Sequence, residues 1–188
     1  RVFKYRIFTL TTGLGMIVFT SMIGTAVILP LYMQTMLGFS AFQSGLVLLP
    51  GAIIMGMMNP ITGRLFDKYG AKWLARIGFI ILTISTFMFT NLTTDTSFAY
   101  LAIMNAVRML SISMVMMPTT TLGLNQLPDS LIPHGSAMNN TFRQVAGSVG
   151  TAILVTIMVT TAIPDGTTLG AIRGVNVSFI VAGIIAIL

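Results

Sequence analysis

The chain has 188 residues, 55% of them hydrophobic and only 7% charged, with a net charge of +6. A soluble domain carries about 25% charged residues, so this chain lacks the polar surface to face water, and the bilayer must be its solvent. The basic balance is what membrane proteins collect in cytoplasmic loops, which makes it topogenic and excludes nucleic acid as the partner. With no cysteine, disulfides, thiolate metal sites and a cysteine nucleophile are excluded too.

A basic head, Arg1, Lys4 and Arg6, precedes a first apolar span over about Phe8 to Tyr32, with Pro30 placed to kink or stop its far end. The uncharged link Gly38-Phe-Ser-Ala-Phe-Gln43 leads into a second span over about Ser44 to Thr62. Span three covers about Trp73 to Leu92, span four Phe98 to Leu122, and span five Ala137 to Ile163. Span six begins near Val175 and has 14 residues left. At 1.5 Å each these cover ~21 Å of a ~30 Å core, so span six reads as clipped. The chain starts at Arg1 and stops inside an apolar run, the pattern of a segment cut from a longer protein. The fold class expected is all-α, a polytopic transmembrane bundle occupying residues 1–188.

Charge placement orients the bundle. Arg1, Lys4, Arg6, Arg64, Lys68, Lys72, Arg76 and Arg143 fall on one side of the alternating spans, against Arg173, Asp95 and Asp165 on the other. The basic side is expected to be cytoplasmic. Arg108 belongs to neither side. It lies about ten residues into span four, ~15 Å deep, where a charge is expensive and marks a functional site by default.

The most demanding motif is Gly63-Arg64-Leu-Phe-Asp67-Lys68-Tyr-Gly70-Ala-Lys72, between spans two and three. Gly63 and Gly70 permit close helix approach and a tight turn. Asp67 can pair with Arg64 one turn earlier or cap the helix entering span three. An ordinary basic topogenic loop accounts for the charges but does not require this spacing. Small residues at Gly147, Thr151, Ala146 and Gly150 in span five, with Gly13, Gly15, Gly51 and Gly56 in spans one and two, suit close helix packing. His134, in the polar link after Asp129, reads as a solvated loop histidine.

The Gly63–Lys72 stretch resembles the signature loop between the second and third helices of each six-helix half in the major facilitator superfamily. Gly63, Asp67, Lys68, Gly70 and Lys72 match, while Ala71 departs from the usual second basic residue. Further motifs narrow the resemblance. They are Pro30-Leu-Tyr-Met-Gln34, Gly38-x-Ser40, Gly45-x-x-x-x-Pro50, Arg108 followed by Met116-Met117-Pro118, Gly135-Ser-Ala137, Arg143-Gln144 and Gly147-Ser-Val-Gly150. In this order they resemble the carboxy-terminal half of the fourteen-span drug:proton antiporters of the EmrB/QacA type, lincomycin-resistance relatives included.

That resemblance implies a half of an alternating-access transporter, spans one to six here standing for nine to fourteen of the parent. Its partners would be the amino-terminal half, a small-molecule drug, protons and the lipid of a bacterial cytoplasmic membrane. The latch loop would be Gly63, Arg64, Asp67, Lys68, Gly70 and Lys72. In the family, an arginine in the corresponding amino-terminal helix is linked to proton coupling, and Arg108 is its repeat-related counterpart. Arg108 and Asn105, one turn apart, would face substrate or hold a neighbouring helix's carbonyl. Tyr32 and Gln34 would join them along the cavity, and Asn59 would line it too or bond between helices. Tyr32 would attract cationic drugs through its ring face, or anchor in the interfacial aromatic belt.

The spans contain no Asp or Glu, so the group that loads and releases a proton would lie in the other half. No metalloprotease, hydrolase or P-loop motif is present, and no enzyme activity, cofactor or metal site is expected. The function indicated is export of apolar or cationic drugs in exchange for protons. Two alternatives are a carrier for a sugar, siderophore or metabolite, and a non-transporting membrane scaffold.

Overall fold

The computed structural model describes residues Val2–Ala162 and Thr168–Ile187. Arg1, Asp165 and the expected end of span five at Ile163 lie outside the described residues. Among the described residues six helices are long and apolar enough to cross a membrane. They are α1 (Arg6–Thr35), α2 (Ala41–Tyr69), α3 (Ala71–Met88), α4 (Phe98–Leu124), α5 (Ile132–Thr161) and α6 (Thr168–Ile187). The architecture is all-α, as composition demands.

Most helices outrun the apolar spans, because a helix does not stop where hydrocarbon stops. Ser40 caps α2 through its hydroxyl, which accepts the Gln43 amide, and the Gln43 side chain accepts the Ser40 amide in return. That capping box starts α2 three residues before the expected Ser44. At its other end α2 runs through Asp67 to Tyr69, so the Gly63–Lys72 motif is not a loop. It is the last two turns of α2, one corner residue, and the start of α3. Gly70 makes the corner alone, with φ 77° and ψ 163°, a region that is essentially glycine-only.

Pro133 occupies the first turn of α5, where a missing N–H costs nothing. The helix therefore begins at Ile132 and takes in His134, which is exposed in that turn rather than in a link. α6 begins at Thr168, seven residues before the expected Val175. Its 20 residues rise ~30 Å, enough to cross the core. Arg173, counted above among the charges opposite the basic side, is an exposed helical residue whose long side chain can reach the interface. Pro30 does not end α1, which continues to Thr35.

α1 and α5 run parallel in tight register. Phe8 meets Gly135, Gly15 meets Arg143, Phe19 meets Gly147 and Gly24 meets Leu154. Small residues let these backbones approach, which is how helices associate where lipid supplies no hydrophobic drive. Gly13 and Gly56, expected to act likewise, face open space. α4 packs against α1, α2 and α3, and α6 closes the bundle against α3 and α5. A middle core of Val18, Leu82, Ile112 and Val115 is flanked by a larger cluster that includes Leu29, Tyr32, Phe89, Leu101 and Phe179.

The end opposite the basic head is bolted together. The Asn176 amide both accepts from the Leu92 N–H and donates to the Leu92 carbonyl, each at 3.1 Å. The Tyr32 hydroxyl donates to the Thr93 carbonyl and the Tyr100 hydroxyl to the Met88 carbonyl. By contrast α2 and α5 are weakly enclosed. Only 17% of each apolar window is buried, against 44–50% for α1, α4 and α6. Leu46, Leu49, Ile53, Met57 and Ile61 form an exposed apolar stripe along α2.

Candidate functional site

Arg108 is fully enclosed between α4, α1 and α3, with 0% exposure. Its Nη2 donates to the Ser21 carbonyl at 2.7 Å and the Ser21 hydroxyl at 2.6 Å, and its Nε to the Thr86 hydroxyl at 3.4 Å. Nη1 has no partner. A buried guanidinium costs several kcal/mol in desolvation, and hydrogen bonds from a charged donor return about 1.5–3 kcal/mol each. All three acceptors are neutral. Arg108 therefore ties three helices together inside the bundle and presents no surface to a cavity. Of its two expected roles, the geometry displays the grip on a neighbouring carbonyl.

Arg143 corrects the charge count made from sequence. It is 7% exposed and stands eleven residues beyond Ile132, roughly 16 Å along α5. It is buried inside the bundle and is not one of the exposed charges of the basic end. Lys4, Arg6, Arg64, Lys68, Lys72 and Arg76 are all exposed at that end and retain the bias without it. Arg143 Nη2 donates to the Thr120 hydroxyl on α4, which itself donates to the Met116 carbonyl at 2.7 Å. Its Nε is buried without a partner. Gly15 makes room for it, since a Cβ there would stand 2.9 Å from Nε and 3.1 Å from Nη2. In the α1–α5 register Thr12 falls opposite Asn139. Both are buried, and the Thr12 hydroxyl has no partner.

A cavity of about 330 Å³ opens between α2 and α4 on the same side of the bundle. It is lined by Met55, Asn59, Met116, Met117, Thr120 and Thr121. Methionine walls adapt to irregular apolar shapes. Asn59 is exposed there and accepts the Ser113 hydroxyl at 3.0 Å. Asn105 is 1% exposed and both of its amide atoms lack partners. It points at α2, where a Cβ on Gly51 would lie 2.5 Å from its nitrogen. Asn105 and Arg108 thus address different neighbours and do not form one site.

Tyr32 is fully buried in the core with its hydroxyl on Thr93, so its ring face is not available to cargo. Gln34 is exposed at the end of α1. In the Gly63–Lys72 segment Arg64, Asp67, Lys68 and Lys72 are all exposed. Asp67 does not cap α3, whose N-cap Gly70 has no side-chain bond. The Lys68 ammonium sits 5.2 Å from the centre of the Tyr69 ring. Gly63 lets α2 pass α4, with the Met117 methyl 3.2 Å from where a Cβ would stand.

A family model for the Major Facilitator Superfamily matches residues 1–151. The chain belongs to this superfamily. It is 51% identical over its whole length to the MFS-type transporter YcnB of Bacillus subtilis, covering 40% of that protein. It is 49% identical to the lincomycin resistance protein LmrB of Listeria innocua, over 84% of this chain and 34% of the relative. Against the multidrug export protein EmrB of Haemophilus influenzae it is 32% identical, over 77% of this chain and 28% of the relative. The chain thus spans between a quarter and two fifths of these relatives. Membership places it in a superfamily of multi-pass membrane carriers, which are not enzymes.

For this facilitator chain, sequence reasoning missed Arg143 as a buried group and missed its partners Thr120 and Gly15. The signal was present in Pro133. A proline placed in a first turn starts α5 early enough to put Arg143 about three turns into the helix, alongside α1, rather than at its end. Ser21, Thr86 and Asn176 had no such signal, because serine, threonine and asparagine in apolar helices carry no mark of what they face.

Proposed function

We propose that this chain is the carboxy-terminal half of a fourteen-span multidrug exporter of the bacterial cytoplasmic membrane. It would work with an amino-terminal half, exchanging drug for protons by alternating access. The observation that carries this reading is the cavity between α2 and α4, walled in part by Met55, Met116 and Met117. Three adaptable methionines beside only Asn59, Thr120 and Thr121 as polar groups suit bulky, largely apolar cargo better than a sugar, which needs many hydrogen bonds. Relatives named for lincomycin resistance and multidrug export support drugs as the cargo. The aromatic face once expected to draw cations is lost from this half, because Tyr32 is buried.

In this cycle the exposed Asp67, with Arg64, Lys68 and Lys72, would latch helix ends of the two halves on the cytoplasmic side. The proton-carrying carboxylates would come from the other half. The test is drug uptake into inverted membrane vesicles containing the full-length transporter. Accumulation of lincomycin that collapses when the pH gradient is dissipated supports the reading. Uptake that ignores the gradient, or no uptake of any apolar drug, contradicts it.

A further inference from the structure

The chain's four acidic residues are Asp67, Asp95, Asp129 and Asp165. The three that are described are exposed at the ends of helices or between them. Arg143 therefore carries a positive charge deep in the bundle with no carboxylate of the described residues beside it. Its bonded partner is a neutral hydroxyl, Thr120, and Thr120 is itself part of the cavity wall. The guanidinium is thus one hydroxyl removed from the cavity. Gly15 on α1 leaves the space that the guanidinium fills. In a low-dielectric setting an uncompensated charge at that range sets the sign of the local potential.

We propose that Arg143 is a charge-selectivity residue, making this half of the cavity favour neutral and anionic cargo and disfavour cationic cargo. The proposal rests on reading the cavity as the cargo site. Two like unit charges some 10 Å apart at an effective dielectric of about 20 repel enough to weaken binding roughly tenfold. Arg108 does not contribute in the same way, because it is sealed between α1, α3 and α4 away from the cavity lining.

The experiment measures efflux KM in vesicles holding the full-length transporter, for two drug analogues with one apolar body. One ends in a quaternary ammonium and the other in the isosteric tert-butyl group. In Arg143→Gln the ratio of cationic to neutral KM should fall roughly tenfold, while Arg143→Lys keeps the wild-type ratio. Asn139→Asp places a carboxylate one turn below Arg143, off the cavity lining, and should lower the ratio in the same direction. That variant keeps the test open if Arg143→Gln does not insert. A residue that only tied helices together would change both KM values equally. An unchanged ratio in either transporting variant therefore overturns the proposal, including the case in which a carboxylate from the other half already neutralises Arg143. Wild-type vesicles that export neither analogue would overturn the exporter reading itself, and this inference with it.

Discussion

Tyr32 separates two accounts of the same residue, a wall of the drug cavity and a strut inside the bundle. Tyr32→Phe removes one hydroxyl and keeps the ring, which is fully buried. The lost bond is to the Thr93 carbonyl, which still accepts the Thr96 hydroxyl at 3.0 Å and stays partly satisfied. The cost should be about 1 kcal/mol, a roughly fivefold shift in the folded-to-unfolded ratio. Tyr32→Ala leaves a cavity where the ring was. Aromatic-to-alanine changes in soluble cores cost about 3–5 kcal/mol, and the lower end applies here because the unfolded helix faces lipid rather than water. The assay is reversible unfolding of the full-length transporter in mixed micelles, with drug KM measured in parallel. The strut account predicts a small loss for phenylalanine, a large loss for alanine, and no change in KM for Tyr32→Phe. A Tyr32→Phe variant of wild-type stability with an altered KM would refute it.

Asn176→Leu removes both bonds to Leu92 and should cost about 1–3 kcal/mol, read as faster proteolysis between α3 and α4. Unchanged cleavage there would mean that α6 does not hold that connection. Gly70→Ala forces a Cβ into a backbone region that only glycine occupies easily, at about 1–3 kcal/mol. Membrane abundance should fall, and an unaffected level would show that the α2–α3 corner can relax. Asp67→Asn keeps the side chain's size and removes its charge, so insertion should be normal while efflux drops. Full efflux in that variant would count against the latch.

The helical count and the apolar character of the chain were legible because twenty-residue hydrocarbon spans leave a composition that nothing else imitates. The family was legible in Gly63, Asp67 and Gly70, whose spacing reflects one turn of helix and one glycine-only corner. Helix ends were less legible, because apolarity reports the bilayer's edge and capping chemistry reports the helix's edge. The Ser40–Gln43 box and Pro133 carry the second kind of information, and both moved a boundary. Within the site, depth was readable for Arg108 but direction was not. Asn105 lies only three residues away, yet it faces α2 while Arg108 faces α1 and α3, because that spacing turns a side chain by about 60° around the helix. Tyr32 and Arg143 were misassigned for one reason: whether a polar group in a membrane helix meets cargo, head group or carbonyl depends on its neighbours.

We propose that these 188 residues are one half of an exporter, able to shape a cavity but not to drive transport. It is tested most directly by expressing the chain alone, and together with the remainder of the full-length protein as a separate polypeptide. Drug accumulation is then measured in inverted vesicles under a pH gradient. Proton-driven accumulation is expected from the pair and none from the chain alone. Proton-driven accumulation in vesicles that contain only this chain would contradict it.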